Sequence, residues 1–105
     1  MERYAWKGRI KEGMKAEYVR RHDEIWPEMK ELLKAAGIRN YSIWCVGDEL
    51  FGYYECEKGI RYAASVQAES PVVARWDEYI KDVLVMEKDP VTGAQPLLEQ
   101  VFYLK

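Results

Sequence analysis

Apolar residues recur at two different spacings along this chain, and the switches between them mark its elements. Residues 3 to 10, Arg-Tyr-Ala-Trp-Lys-Gly-Arg-Ile, alternate, with Tyr4, Trp6, Gly8 and Ile10 on one face and Arg3, Lys7 and Arg9 mostly on the other, which predicts a half-buried strand. Lys11-Glu12-Gly13 is a connection, and from Met14 the period becomes 3.6. Met14, Tyr18, His22, Ile25, Met29, Leu32, Leu33 and Ala36 fall in one stripe, while Glu17, Arg20, Asp23, Glu24, Lys30, Glu31 and Lys34 fall outside it. This predicts a helix from Met14 to Ala36, closed by Gly37. Pro27 cannot donate to the carbonyl of Asp23, so a kink, or a division into two shorter helices, is expected about one turn beyond His22. Glu17 with Arg21 and Arg20 with Glu24 lie four apart and read as pairs on a solvated face, worth about 0.2–0.5 kcal/mol each.

Asn40 to Val46 and Leu50 to Cys56 are rich in aromatic and branched residues and are separated by Gly47-Asp48-Glu49, which predicts a hairpin. Tyr41, Ile43 and Cys45 share one face of it, and Ser42, Trp44 and Val46 the other. Ile60 to Ala68 reads as a short helix. Ser70-Pro71 then offers an N-cap followed by proline at the first helical position. The helix from Pro71 to about Leu84 carries its stripe on Val72, Trp76, Tyr79, Ile80 and Val83, with Asp77 about 100° around from Trp76. Glu87 to Gln95 reads as a polar loop and Leu97 to Leu104 as a last strand, with Leu98, Phe102 and Leu104 alternating against Glu99 and Tyr103.

Strand, helix, strand, strand, helical pair, strand is the βαββαβ order of the ferredoxin-like plait, an α+β fold with helices on one face of an antiparallel sheet. The other sheet face needs a cover, and a twofold homodimer is the economical one. The 105 residues are expected to form one domain, with limited room for a deep pocket.

Charge and composition narrow the partners. A formal charge of −2 with no basic run at either end gives no footprint for nucleic acid. The apolar runs are far shorter than the roughly 18 residues of a membrane span, and Met-Glu-Arg-Tyr at the start has no signal-peptide core, so a soluble, cytoplasmic protein is expected. The tight turn pairs Cys45 with residues near Leu50, out of register with Cys56, so both cysteines read as reduced thiols. One histidine and two separated cysteines give no zinc-type spacing, and no metal is expected.

The chemistry that remains centres on His22, the only histidine, set inward with Tyr18 one turn before it and Trp26 one turn after. That placement suits a proton-transfer pocket with aromatic walls, and it equally suits a core histidine satisfied by a hydrogen bond. There is no Gly-x-Ser-x-Gly elbow and no glycine-rich phosphate loop. The supply of 4 Trp and 8 Tyr furnishes wall material for a sugar site, since tyrosine offers a ring to stack on C–H groups and a hydroxyl to bond.

Glu17-Tyr18-x-Arg20-Arg21-His22-x-x-Ile25-Trp26-Pro27-Glu28, Gly37 to Asn40-Tyr41-x-Ile43, Arg75-Trp76 and Leu98-x-Gln100-Val101-Phe102-Tyr103-Leu104 resemble the L-rhamnose mutarotases over nearly the full chain. The resemblance implies a dimeric ferredoxin-like α/β barrel that interconverts the α and β anomers of L-rhamnose or a related deoxyhexose, with no cofactor. By position, His22 matches the family's proton donor, and Tyr18, Tyr41 and Trp76 match its sugar contacts. Asp77 stands where the family often has a second Trp, which makes it a candidate substrate contact of different chemistry. Mutarotation requires that the anomeric hydroxyl lose a proton while the ring oxygen gains one. His22 is then the acid at the ring oxygen on opening and the base on reclosure; the group handling the anomeric hydroxyl is not legible, a water and a tyrosine hydroxyl being the alternatives. Two other readings are a small monooxygenase of the dimeric α/β-barrel type and a non-catalytic sugar-binding module.

Overall fold

A computed structural model describes residues 1–85 and 97–105. The polar loop expected over Glu87 to Gln95 lies outside the described residues. The alternating first segment forms β1 (Glu2–Ile10), and the 3.6-residue pattern forms two helices, α1 (Lys15–Asp23) and α2 (Pro27–Ala35). The second of the two outcomes that Pro27 allowed is the one realised. Trp26 is extended (φ −60°, ψ 138°), the conformation imposed on a residue before proline, and Pro27 starts α2 where its missing N–H costs nothing. Gly37, at φ +79°, ends α2.

The hairpin follows as β2 (Ile38–Val46) and β3 (Glu49–Cys56), turning on Gly47-Asp48. Gly47 has φ +59° at the first of the two turn residues, the position that a type II′ hairpin reserves for glycine. Cys45 sits opposite Leu50 and Cys56 opposite Ile38, so the two thiols are free, as the turn spacing predicted. The helices α3 (Ile60–Ala68) and α4 (Pro71–Ile80) come next; the Ser70 hydroxyl accepts from the backbone N–H of Val72 at 3.2 Å and of Val73 at 3.4 Å. β4 (Leu84–Val85) completes a four-stranded sheet of order β2-β3-β1-β4, with every pairing antiparallel. This is the ferredoxin-like plait.

Two expectations are corrected. The helix after Ser70 stops at Ile80, and the fourth strand is Leu84–Val85, paired to Arg9 and Ile10. Leu97 to Leu104 is not a strand of this sheet. It touches β1 through a bridge between Trp6 and Leu97 and a 2.9 Å bond from the Leu98 N–H to the Ala5 carbonyl, then runs on without a ladder. Alternation alone does not make a strand: β4 takes only the Arg9–Ile10 end of this edge of β1, and along the rest the tail makes side-chain contact, with the Arg3 guanidinium 3.7 Å from the centre of the Tyr103 ring, but no ladder. Val101, Phe102 and Leu104 are accordingly left open to solvent.

All the helices pack on one sheet face. Tyr4, Trp6, Ile10, Leu50, Tyr54 and Cys56 point into it and join Tyr18, Met29, Trp76, Ile80, Val83 and Leu84 in a single core. Full burial of a side chain such as Ile10, Leu50 or Val83 contributes roughly 1.5–3 kcal/mol. The opposite face carries Trp44 and Val46, 69% and 64% exposed, too large a fraction for side chains meant to meet only water.

β2 contains one irregularity that positions the site. Arg39 pairs Glu55 and Ser42 pairs Tyr53, so Asn40 and Tyr41 together oppose Tyr54. Asn40 takes φ +51°, a region asparagine tolerates, and its Nδ2 donates to Glu55 Oε1 at 2.7 Å. The extra residue lets both Ile38 and Tyr41 face the helices although they are three apart.

Candidate active site

Between the sheet and the helices lies a cavity of about 960 Å³ lined by residues of β1, β2, β3 and all four helices. That is within the usual size of a ligand pocket and larger than the chain length led us to expect. At the centre of the sheet Gly8 and Gly52 bring no side chains, which leaves room for the Trp6 indole that forms part of the cavity wall. The Trp6 ring lies across that hollow, so close that a Cβ on Gly52 would fall 2.0 Å from Trp6 Cε2. Beside it, Tyr4 and Tyr54 stack at 4.8 Å between centroids, and Tyr41 meets Tyr54 at 4.9 Å. Burial pushes the phenols of Tyr4, Tyr18 and Tyr54 up, and that of Tyr41 up to about 12, the Trp6 side chain opposing the last shift. Their hydroxyls therefore keep their protons at neutrality and serve as hydrogen-bonding groups.

α1 brings Tyr18 and His22 to the cavity from the other side, and α4 brings Trp76 and Asp77. The His22 ring lies 4.2 Å from that of Tyr18 and meets the Trp76 ring edge-on at 5.3 Å. His22 Nδ1 is 3.0 Å from the Tyr18 carbonyl oxygen. Because a carbonyl only accepts, this bond assigns the proton of the neutral imidazole to Nδ1 and leaves the Nε2 lone pair free. Burial lowers the His22 pKa below its ordinary value, with the Tyr18 carbonyl and Asp23 opposing the shift. The group can thus accept a proton at Nε2 when neutral and give it back when charged.

All five residues singled out in the sequence, His22, Tyr18, Tyr41, Trp76 and Asp77, line this one cavity. Trp26 does not. The break before Pro27 takes it off the α1 face, and it packs instead behind the site, edge-on to Trp76 at 5.2 Å and against Tyr79 at 5.3 Å. Asp77 stays open to solvent as a residue, yet loss of water around its carboxyl raises its pKa.

From helical spacing alone Arg21 reads as part of a solvated face paired with Glu17. Its side chain is 11% exposed; Nε donates to Glu17 Oε2 at 2.8 Å and Nη1 to the Tyr79 carbonyl at 2.8 Å and Asp82 Oδ1 at 2.7 Å. The guanidinium also lies over the Tyr79 ring, 4.7 Å from its centre. Together with Arg20, the larger influence, it holds the Glu17 carboxyl at about 2, and through the Tyr79 carbonyl it ties α1 to the end of α4, the two helices that bring His22 and Trp76 into contact. The signal available was Glu17-x-x-x-Arg21 next to the histidine, but a helical spacing cannot reveal a partner 61 residues away. Gln67, whose Nε2 donates to the Ala63 carbonyl at 3.1 Å, also lines the cavity and had not been singled out. Among the described residues no group of three or more His, Cys, Asp or Glu converges as a metal site would need, and no helix is long and apolar enough to cross a membrane.

A family model described as L-rhamnose mutarotase matches residues 3–104. The chain belongs to the L-rhamnose mutarotase family. These enzymes are isomerases that interconvert sugar anomers. An L-rhamnose mutarotase of Listeria monocytogenes is 41% identical over 99% of each chain, and one of Formosa agariphila is 34% identical over the whole of both. The crystal structure of an L-rhamnose mutarotase from Formosa agariphila superposes with a TM-score of 0.81 at 31% identity, covering 100% of each chain. Tetracenomycin F2 cyclase from Streptomyces glaucescens, a polyketide cyclase, shares the fold with a TM-score of 0.67 at 14% identity, over 100% of this chain and 98% of that one. The mutarotase match over the full length sets aside the monooxygenase reading, and the cyclase adds only that the same plait occurs elsewhere.

Proposed function

We propose that this chain interconverts the α and β anomers of L-rhamnose or a closely related deoxyhexose, with His22 as the proton-transfer group. The observation that carries the reading is His22 Nδ1 held by the Tyr18 carbonyl, which leaves Nε2 as the one imidazole position available to a molecule in the cavity. As imidazolium, His22 gives its Nε2 proton to the ring oxygen while the bond from that oxygen to the anomeric carbon breaks. After the aldehyde turns about its bond to C2, His22 takes the proton back as the ring recloses on the other face. The lowered pKa makes the charged form a readier donor. Tyr18, Tyr41 and Trp76 contribute the walls: the rings stack on the C–H faces of the sugar and the two hydroxyls bond its polar edge. The step needs no cofactor, since only protons move.

Exchange NMR of the anomeric proton signals, with and without protein, tests the reading across a panel of hexoses and deoxyhexoses. Faster exchange is expected for L-rhamnose or a close relative. Unchanged exchange for every sugar would overturn it and leave a binding module.

The reading includes a cytoplasmic homodimer, supported by the free thiols of Cys45 and Cys56 and by the apolar groups on the outer sheet face, Trp44 and Val46. Val101, Phe102 and Leu104 of the uncovered tail offer further surface to a second copy. Sedimentation velocity at micromolar concentration is expected to give the mass of a dimer. A monomer there would remove the proposed cover of the sheet.

A further inference from the structure

Ring opening needs a base at the anomeric hydroxyl as well as an acid at the ring oxygen, and the second group has so far gone unnamed. The cavity limits the choice. Among the described residues its titratable lining, apart from His22, is Tyr4, Tyr18, Tyr41, Tyr54 and Asp77. The four phenols are held protonated by burial, which leaves Asp77 as the one carboxylate among the described lining residues.

Asp77 of α4 and His22 of α1 line the same cavity, and the two helices meet there where the Trp76 ring faces His22 edge-on at 5.3 Å. Among the described residues the nearby cations are engaged elsewhere. Arg21 is engaged by Glu17 and Asp82, Arg75 reaches Glu28 at 3.8 Å, and Lys81 pairs with Glu78. Asp77 itself has no hydrogen bond or ion pair among the described residues. A carboxylate that lines a ligand cavity and is left without a protein partner is available to a ligand.

We propose that Asp77 is the second catalytic residue of this site, the base that takes the proton of the anomeric hydroxyl while His22 protonates the ring oxygen. The proposal rests on the proton-transfer reading of His22. On opening, the Nε2 proton of the His22 imidazolium goes to the ring oxygen, which keeps the electron pair of the breaking C–O bond. Asp77 removes the anomeric O–H proton, and that bonding pair becomes the second bond of the aldehyde carbonyl. On reclosure the ring hydroxyl adds to the carbonyl, Asp77 returns its proton to the carbonyl oxygen, and His22 recovers the other. One proton passes between the members of the pair and back, with no net gain or loss.

The working pair carries a single proton, which gives a bell-shaped pH dependence. Activity falls on the acid side as Asp77 protonates, at a pH above the ordinary 3.8 because burial raises its pKa. It falls on the alkaline side as His22 deprotonates, at a pH below the ordinary 6.5 because burial lowers its pKa, with only Asp23 and the Tyr18 carbonyl opposing. The charged form is therefore confined to a narrow acidic window.

The test is anomer exchange by NMR from pH 4 to 9 for wild type, Asp77→Asn, Asp77→Glu and His22→Ala, with uncatalysed exchange in the same buffers subtracted and melting temperature recorded. Asp77→Asn keeps shape but cannot accept a proton. It is expected to lower kcat by roughly 10²-fold and abolish the acid limb while remaining folded, with Asp77→Glu recovering part of the rate and the limb. Asp77→Asn that raises only KM and keeps the bell would make Asp77 a hydroxyl anchor and overturn the proposal, as would an unchanged rate. If His22→Ala loses exchange while Asp77→Asn does not, only this proposal fails; if both retain it, the reading of His22 fails as well.

Discussion

His22→Ala is expected to reduce the enhancement of anomer exchange by about 10²–10⁴-fold, the range of a general acid–base group, and to leave a folded protein. Among the described residues the half-buried ring makes one hydrogen bond, Nδ1 to the Tyr18 carbonyl, and lies against Tyr18 and Trp76. Its removal should therefore cost stability on the order of 1 kcal/mol. Were His22 only a satisfied core residue, the loss would be of stability alone, with the folded fraction exchanging anomers normally. Measuring exchange, sugar affinity and melting temperature on one sample separates the two. The same residue links stability to pH. A histidine whose pKa is lower in the fold than in the unfolded chain contributes stability that is complete above the unfolded value near 6.5 and is lost as pH falls through the folded one. His22→Ala should flatten that acid-side decline.

Gly52→Ala is expected to have the largest effect on the fold itself. The added methyl would lie 2.0 to 2.4 Å from three atoms of the Trp6 indole, far inside any real contact, and Trp6 is 6% exposed with core on its other side. Either the strand or the indole has to move, at a cost of about 3 kcal/mol or more. Because the displaced ring is part of the cavity lining and lies close to Tyr41, exchange activity should fall along with the melting temperature. Urea unfolding gives the stability change. Near-wild-type stability would mean that Trp6 has another place to go. Trp6→Leu combined with Gly52→Ala should restore part of the lost stability, and that recovery is the coupling between the two positions.

Much of this was legible because periodicity reports which face of an element is apolar, and a plait needs little more than element order and facing to be specified. The alternation of Tyr4, Trp6, Gly8 and Ile10, the stripe from Met14 to Ala36, the Gly47 turn and the Ser70-Pro71 cap are local features, and each appears where the sequence put it. His22 could be set inward by the same reasoning, since it lies on the stripe that carries Tyr18 and Met29. Tyr18, His22, Tyr41 and Trp76 of the cavity lining could also be named by resemblance, though nothing local showed that they meet. What a period cannot report is contact across the chain. Trp26 left the histidine's face because a residue before proline loses helical geometry, and only packing against α4 decided where it went. Arg21 looked solvated until Asp82 and Tyr79 arrived beside it from another element. The Asn40 bulge, which turns Tyr41 toward Tyr54, depends on the register against β3, and register belongs to two strands together. Leu97 to Leu104 alternates well enough for a strand, yet it meets β1 only at Trp6 and Ala5 while Leu84–Val85 pairs with Arg9 and Ile10, because a ladder is a property of two segments together and the alternation of one does not say whether its partner will align with it.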